Sequence, residues 1–117
     1  MSAQPAMGRS YPEITVEEAR LLIGEARFVD VREPDEYVGE LGHIAGAELV
    51  PLASVATAAA AWDRKKPLVL VCRSGARSGR AAAALFANGF KQPINMVGGM
   101  LAWNASGYPV ERGGGKR

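Results

Sequence analysis

Residues 67–90 read PLVLVCRSGARSGRAAAALFANGF, and no other stretch limits the fold as much. The run PLVLV is continuous and β-branched, the pattern of a strand covered on both faces. The alanine-rich part reads as helix and ends at Asn88-Gly89, a good C-cap pair. Between strand and helix stand Cys72, the chain's one cysteine, and then Arg73, Ser74, Gly75, Ala76, Arg77 and Ser78, all small or cationic.

The rest of the chain repeats this alternation. EITVEEARLLI opens extended and turns helical behind Thr15 as N-cap. ARFVDVR reads as a buried strand, and EPDEYVGE as a short helix entered through Pro34. AGAELVPL holds a short strand, ASVATAAAAWDRKK is helical, and PINMV is a last strand. GGMLAWNASGYPV turns on its glycines into a short helix. Strands alternating with helices predict an α/β fold, a small and mostly parallel central sheet with helices on both faces. The 117 residues suffice for one core and not two. One domain is expected over 11–110, with a flexible N-terminus at 1–10 and a flexible glycine-rich basic tail at 111–117. Ligands of such sheets bind beyond the carboxyl ends of the strands, and Cys72 ends the clearest strand.

Composition removes several function classes. A net charge of +2 gives no sign of a general polyanion binder, so no nucleic-acid partner is expected. No apolar run approaches the roughly 20 residues that span a bilayer, and the first residues lack a signal-peptide core, so no membrane is expected. A single cysteine forms no internal disulfide, which favours a cytoplasmic, reducing location. Cys72 and the only histidine, His43, make no credible zinc site, and no metal is expected. The chain has no G-x-G-x-x-G and no glycine-rich loop ending in Lys-Ser/Thr, so nucleotide binding is weakly supported and no organic cofactor is expected.

The cysteine loop is the candidate site. A thiol attacks as the thiolate. The helix after the loop turns its positive end toward Cys72, and Arg73 and Arg77 add full charges. A turn through Ser74, Gly75 and Ala76 aims successive N–H groups inward as an anion nest. Such a loop places an oxyanion cradle above a nucleophilic sulfur, and arginine suits it because its fork binds two oxygens.

Four motifs carry a resemblance: VDVREPDEY at 29–37, GHIAGAELVPL at 42–52, CRSGARS at 72–78 and GGMLAWNASGYPV at 98–110. In order and spacing the chain resembles a single-domain rhodanese, a sulfurtransferase, over about residues 12–110. The resemblance implies a parallel sheet of about five strands and Cys72 as the catalytic nucleophile. It makes positions 73–77, Arg73, Ser74, Gly75, Ala76 and Arg77, the cradle for substrate and persulfide. From Cys72 to Arg77 is six residues, the length in rhodanese-like sulfurtransferases, whereas phosphatase relatives use a loop one residue longer. A shorter ring of N–H groups surrounds one sulfur atom; a tetrahedral phosphate needs a wider ring.

The implied reaction moves sulfane sulfur from a small anionic donor such as thiosulfate to cyanide or a thiol, a thiol-bearing protein included. Two alternatives stay open: a phosphatase or arsenate reductase on the same fold, and a binding module without catalysis. The lone cysteine leaves a disulfide-forming reductase without its resolving thiol. Either a monomer or a homodimer fits the sequence.

Other residues have competing readings. Asp30 and Arg32 close a predicted strand on the ligand side, either orienting the cysteine loop or forming a structural ion pair. Glu33, Asp35 and Glu36 read as a solvated helix start. His43 reads as part of a structural turn, and Trp62 and Trp103 as packing residues. Gly98 and Gly99 open the last helix and let backbone approach the cysteine loop.

Overall fold

The computed structural model describes residues 11–113. Five strands, β1 (Glu13–Ile14), β2 (Arg27–Asp30), β3 (Glu48–Leu49), β4 (Leu68–Val71) and β5 (Pro93–Met96), form one sheet in the order β1-β5-β4-β2-β3. Every strand pairing in it is parallel. Five α-helices alternate with the strands: α1 (Val16–Arg20), α2 (Pro34–Tyr37), α3 (Val55–Ala59), α4 (Ala76–Ala87) and α5 (Gly99–Ala105). This is the expected α/β architecture.

Strand alternation divides the core into two layers. Val69 and Val71 of β4 pack with Val16 and Ala19 of α1 and with Met100 and Trp103 of α5. Leu68, Leu70 and Cys72 point the other way, onto Val55 and Ala59 of α3 and Ala81, Ala82 and Leu85 of α4. All four residues of β4 are buried, as a strand covered on both faces must be. Trp103 is buried and its indole N–H donates to the Pro109 carbonyl at 3.0 Å; Trp62 meets Phe90 edge to face. Both tryptophans pack, as expected.

Local signals explain the helix starts. Thr15 and Glu18 form a capping box on α1: the Glu18 N–H donates to Thr15 Oγ1 at 3.1 Å, and the Thr15 N–H donates to Glu18 Oε1 at 2.9 Å. Pro34 occupies the first turn of α2. One helix is shorter than its sequence suggests. The helical reading over 53–66 extends too far, because α3 ends at Ala59. Alanine propensity favours continuation, but the chain must turn back to begin β4. It does so at Asp63, whose Oδ1 accepts the Lys65 N–H at 2.9 Å.

The expected loose N-terminus at 1–10, and residues 114–117 of the expected tail at 111–117, lie outside the described residues. Just past the expected boundary at 110, Glu111 and His43 exchange two backbone hydrogen bonds of 2.8 Å. No helix among the described residues is long and apolar enough to cross a membrane.

Candidate active site

Chain direction places the site. From β2 the chain moves outward to β3, whereas from β4 it moves to β5 on the other side. The carboxyl ends of β2 and β4 therefore flank the point where connections diverge, the usual crevice of such sheets. Asp30 closes β2, and Cys72 follows β4 directly.

Cys72 is buried, with its sulfur at the centre of the loop. The Gly75 N–H donates to Sγ at 3.0 Å. Gly75 has φ +106, which turns the loop sharply enough to aim that amide back at the sulfur. Burial pushes the thiol pKa up, but hydrogen bonds from the Ser78 hydroxyl and from the N–H groups of Ser78, Gly75 and Ser74 oppose it, and the net shift is downward. The main donors that favour the thiolate are thus amides and a hydroxyl, and the charge of Arg77 attracts the thiolate as well.

Ser78 is the residue that sequence reasoning undervalued. Its Oγ lies 3.2 Å from Cys72 Sγ and 2.6 Å from Asn95 Oδ1. Asn95 is fixed in turn, because its Nδ2 donates to Glu13 Oε2 at 3.0 Å and to the Gly75 carbonyl at 3.2 Å. Its Oδ1 is then the end that faces Ser78, as an acceptor. Once the thiol ionises, sulfur and Asn95 compete for the one Ser78 proton. A buried asparagine inside a strand is the one available sequence signal for this network.

The last helix supports the loop from behind. The Met100 N–H donates to the Cys72 carbonyl at 2.8 Å, and the Leu101 N–H to the Arg73 carbonyl at 3.0 Å. A Cβ on Gly99 would stand 2.5 Å from each of those carbonyl oxygens. This is the close backbone approach expected of the GGM turn.

The arginines divide. Arg77 presents no free fork: its Nη1 and Nη2 donate to Oε1 and Oε2 of Glu36, each at 2.8 Å. This corrects the reading of Glu36 as a solvated helix residue, since α2 delivers its carboxylate onto the cysteine loop. Arg73 is exposed and makes no ion pair among the described residues. It lines a cleft of about 400 Å³ with Arg32, Asp35, Glu36, Leu41 and Leu101. Cys72 lies beneath the loop beside this cleft rather than on its wall.

Asp30 and Arg32 form a buried ion pair at 2.7 Å. Arg32 also donates to the carbonyls of Gly42 at 2.7 Å and Glu36 at 3.2 Å. The pair thus ties α2 to the end of β2, which itself pairs with β4 at Val71, the residue before Cys72. His43 is buried, stacked on Tyr37 at 3.7 Å between centroids, with Nδ1 at 2.8 Å from the Tyr37 carbonyl. His43 itself bridges to Glu111, just ahead of the turn at Ala45 and Gly46. Among the described residues no group of three or more His, Cys, Asp or Glu side chains is placed to hold a metal ion.

The fold and this loop define a class that comparison with known proteins identifies. Residues 15–106 match the rhodanese-like domain. The chain belongs to that family. It is 37% identical over 111 residues to the thiosulfate sulfurtransferase GlpE of Pseudomonas paraeruginosa, covering 94% of this chain and 98% of that protein. It is 40% identical over 90 residues to YqhL of Bacillus subtilis, 77% of this chain and 70% of that one. Among solved structures, a rhodanese-related protein from Thermoplasma volcanium superposes with a TM-score of 0.78 at 29% identity, over 88% of this chain and 100% of the other.

Proposed function

We propose that this protein is a sulfurtransferase working through a persulfide on Cys72. The carrying observation is the sulfur itself, held by the Gly75 amide at 3.0 Å and the Ser78 hydroxyl at 3.2 Å, with its pKa drawn downward. Those donors stabilise a thiolate, and after transfer they face the sulfur chain of a persulfide. The thiolate attacks the outer sulfur of thiosulfate. The sulfur–sulfur bond breaks, sulfite leaves with the electron pair, and Cys72 keeps the transferred sulfur. Cyanide or a thiolate then takes that sulfur and returns the Cys72 thiolate, a two-step covalent cycle. Arg73 and the N–H groups of the loop hold the anionic end of the donor, and Arg77 adds its charge from within the Glu36 pair. The name and near-full coverage of GlpE favour the same chemistry.

Intact-mass measurement tests the reading. Thiosulfate should add one sulfur atom to the chain, cyanide should remove it, and Cys72→Ser should take up none. Loading in Cys72→Ser, or hydrolysis of an activated aryl phosphate by the parent without sulfur transfer, would replace this reading, the latter with a phosphatase.

A further inference from the structure

The fork of Arg77 is the group best shaped to grip an anionic donor, yet a carboxylate already fills it. Both terminal nitrogens are used by both oxygens of Glu36, although the partners are 41 residues apart and belong to α2 and the first turn of α4. Glu36 is itself anchored. Its Oε1 also accepts the Glu33 N–H at 2.9 Å, completing the cap of α2. The pair is partly shielded, with the two side chains 29% and 28% exposed. Its hydrogen bonds with Arg77, the largest influence, hold the Glu36 pKa at about 2, so the pair persists at any working pH.

The remaining charges of the cleft sum to no net attraction for a dianion. Asp35, Glu36 and Glu40 line the cleft, against Arg32 and Arg73. Arg32 is spent on Asp30 and on backbone carbonyls. Among the described residues lining the cleft, Arg73 alone is left to meet an incoming anion, while Leu41 and Leu101 offer apolar wall.

Building on the sulfurtransferase reading, we propose that Glu36 sets the donor selectivity of the site: by closing the Arg77 fork it disfavours dianionic donors such as thiosulfate and favours a sulfane donor of low charge, an alkyl hydropersulfide. In that reaction the Cys72 thiolate attacks the outer sulfur of R–S–SH. The donor's sulfur–sulfur bond breaks, the alkyl thiolate leaves with the electron pair, and the transferred sulfur keeps its hydrogen on Cys72. The alkyl group rests against Leu41 and Leu101, and no second negative charge needs a partner.

The test uses Glu36→Gln in the full chain. Glutamine keeps Oε1 for the Glu33 N–H but sets an amide NH₂ against one arm of Arg77, so the fork opens. Expected is a thiosulfate KM lower by about tenfold, the worth of one charge-assisted contact. The cyanide step and loading from an alkyl hydropersulfide should not change. Sulfate should also protect Cys72 from iodoacetamide about tenfold better in the variant, a readout independent of turnover. Glu36→Gln/Arg77→Lys should lose both gains, since a lysine has no fork to open. A variant that only melts earlier, with thiosulfate KM and sulfate protection unmoved, would make the pair a strut and overturn the proposal. Donor preference in the parent gives a second measurement that needs no variant. Faster loading from hydropersulfide than from thiosulfate supports the proposal, and the reverse order overturns it alone. No sulfur on Cys72 from either donor removes the sulfurtransferase reading and this proposal together.

Discussion

The hydroxyl of Ser78 stands 3.2 Å from the sulfur of Cys72, on the first turn of the helix whose start the cysteine loop forms. Both residues are fully buried, so the contact is shielded from water.

This contact predicts a titration. Because hydrogen bonds outweigh burial, Cys72 should alkylate with a midpoint below that of an ordinary thiol. The sign follows from ionisation: a depressed pKa keeps the reactive thiolate populated as pH falls, until pH drops through the folded value. Ser78→Ala removes one donor and should move the iodoacetamide midpoint to higher pH. Sulfur loading at neutral pH should then fall by about tenfold, the worth of one hydrogen bond to a charged sulfur. An unmoved midpoint would mean that the amides alone hold the thiolate.

Arg73 is expected to recognise the donor. Arg73→Ala should raise the thiosulfate KM by about tenfold and leave the cyanide-dependent step alone, because only the donor carries the sulfonate. Arg73 is exposed, so the substitution should leave the melting temperature nearly unchanged. Steady-state kinetics with each substrate varied in turn separates the two steps. Equal damage to both would deny Arg73 a role specific to the donor.

Gly99 and Gly107 make a controlled pair. Both have positive φ, +56 and +75. A Cβ at Gly107 meets nothing within 4 Å, whereas one at Gly99 collides with the carbonyls of Cys72 and Arg73. Gly107→Ala should cost about 1 kcal/mol, for backbone conformation alone. Gly99→Ala should cost more, at least about 2 kcal/mol, and should also slow sulfur loading by displacing the loop. Denaturant melts report the first effect and mass-resolved loading the second. Equal costs at the two glycines would show that the loop gives way without penalty.

Much of this was legible in the chain because it is local. β4 shows itself as PLVLV, the helix stop as Asn88-Gly89, and the loop as a lone thiol among glycine and arginine. The contacts that tune the loop are not local. Glu36 and Arg77 meet only because α2 folds over the end of the sheet, and an acidic first turn looks the same whether solvated or paired. Asn95 faces Ser78 because β5 pairs with β4 in the register Leu70↔Asn95, which no local pattern encodes. Alanines misled in the opposite direction: propensity extends α3 past Ala59, and the need to return to the sheet ends it.

The two amides that α5 lends to the carbonyls of Cys72 and Arg73 couple the shape of the loop to the docking of a helix far along the chain. Local opening of α5 would loosen the loop without removing the donors that Gly75 and Ser78 aim at the sulfur. Hydrogen exchange at the Met100 and Leu101 amides would therefore report how firmly the ring around the sulfur is held.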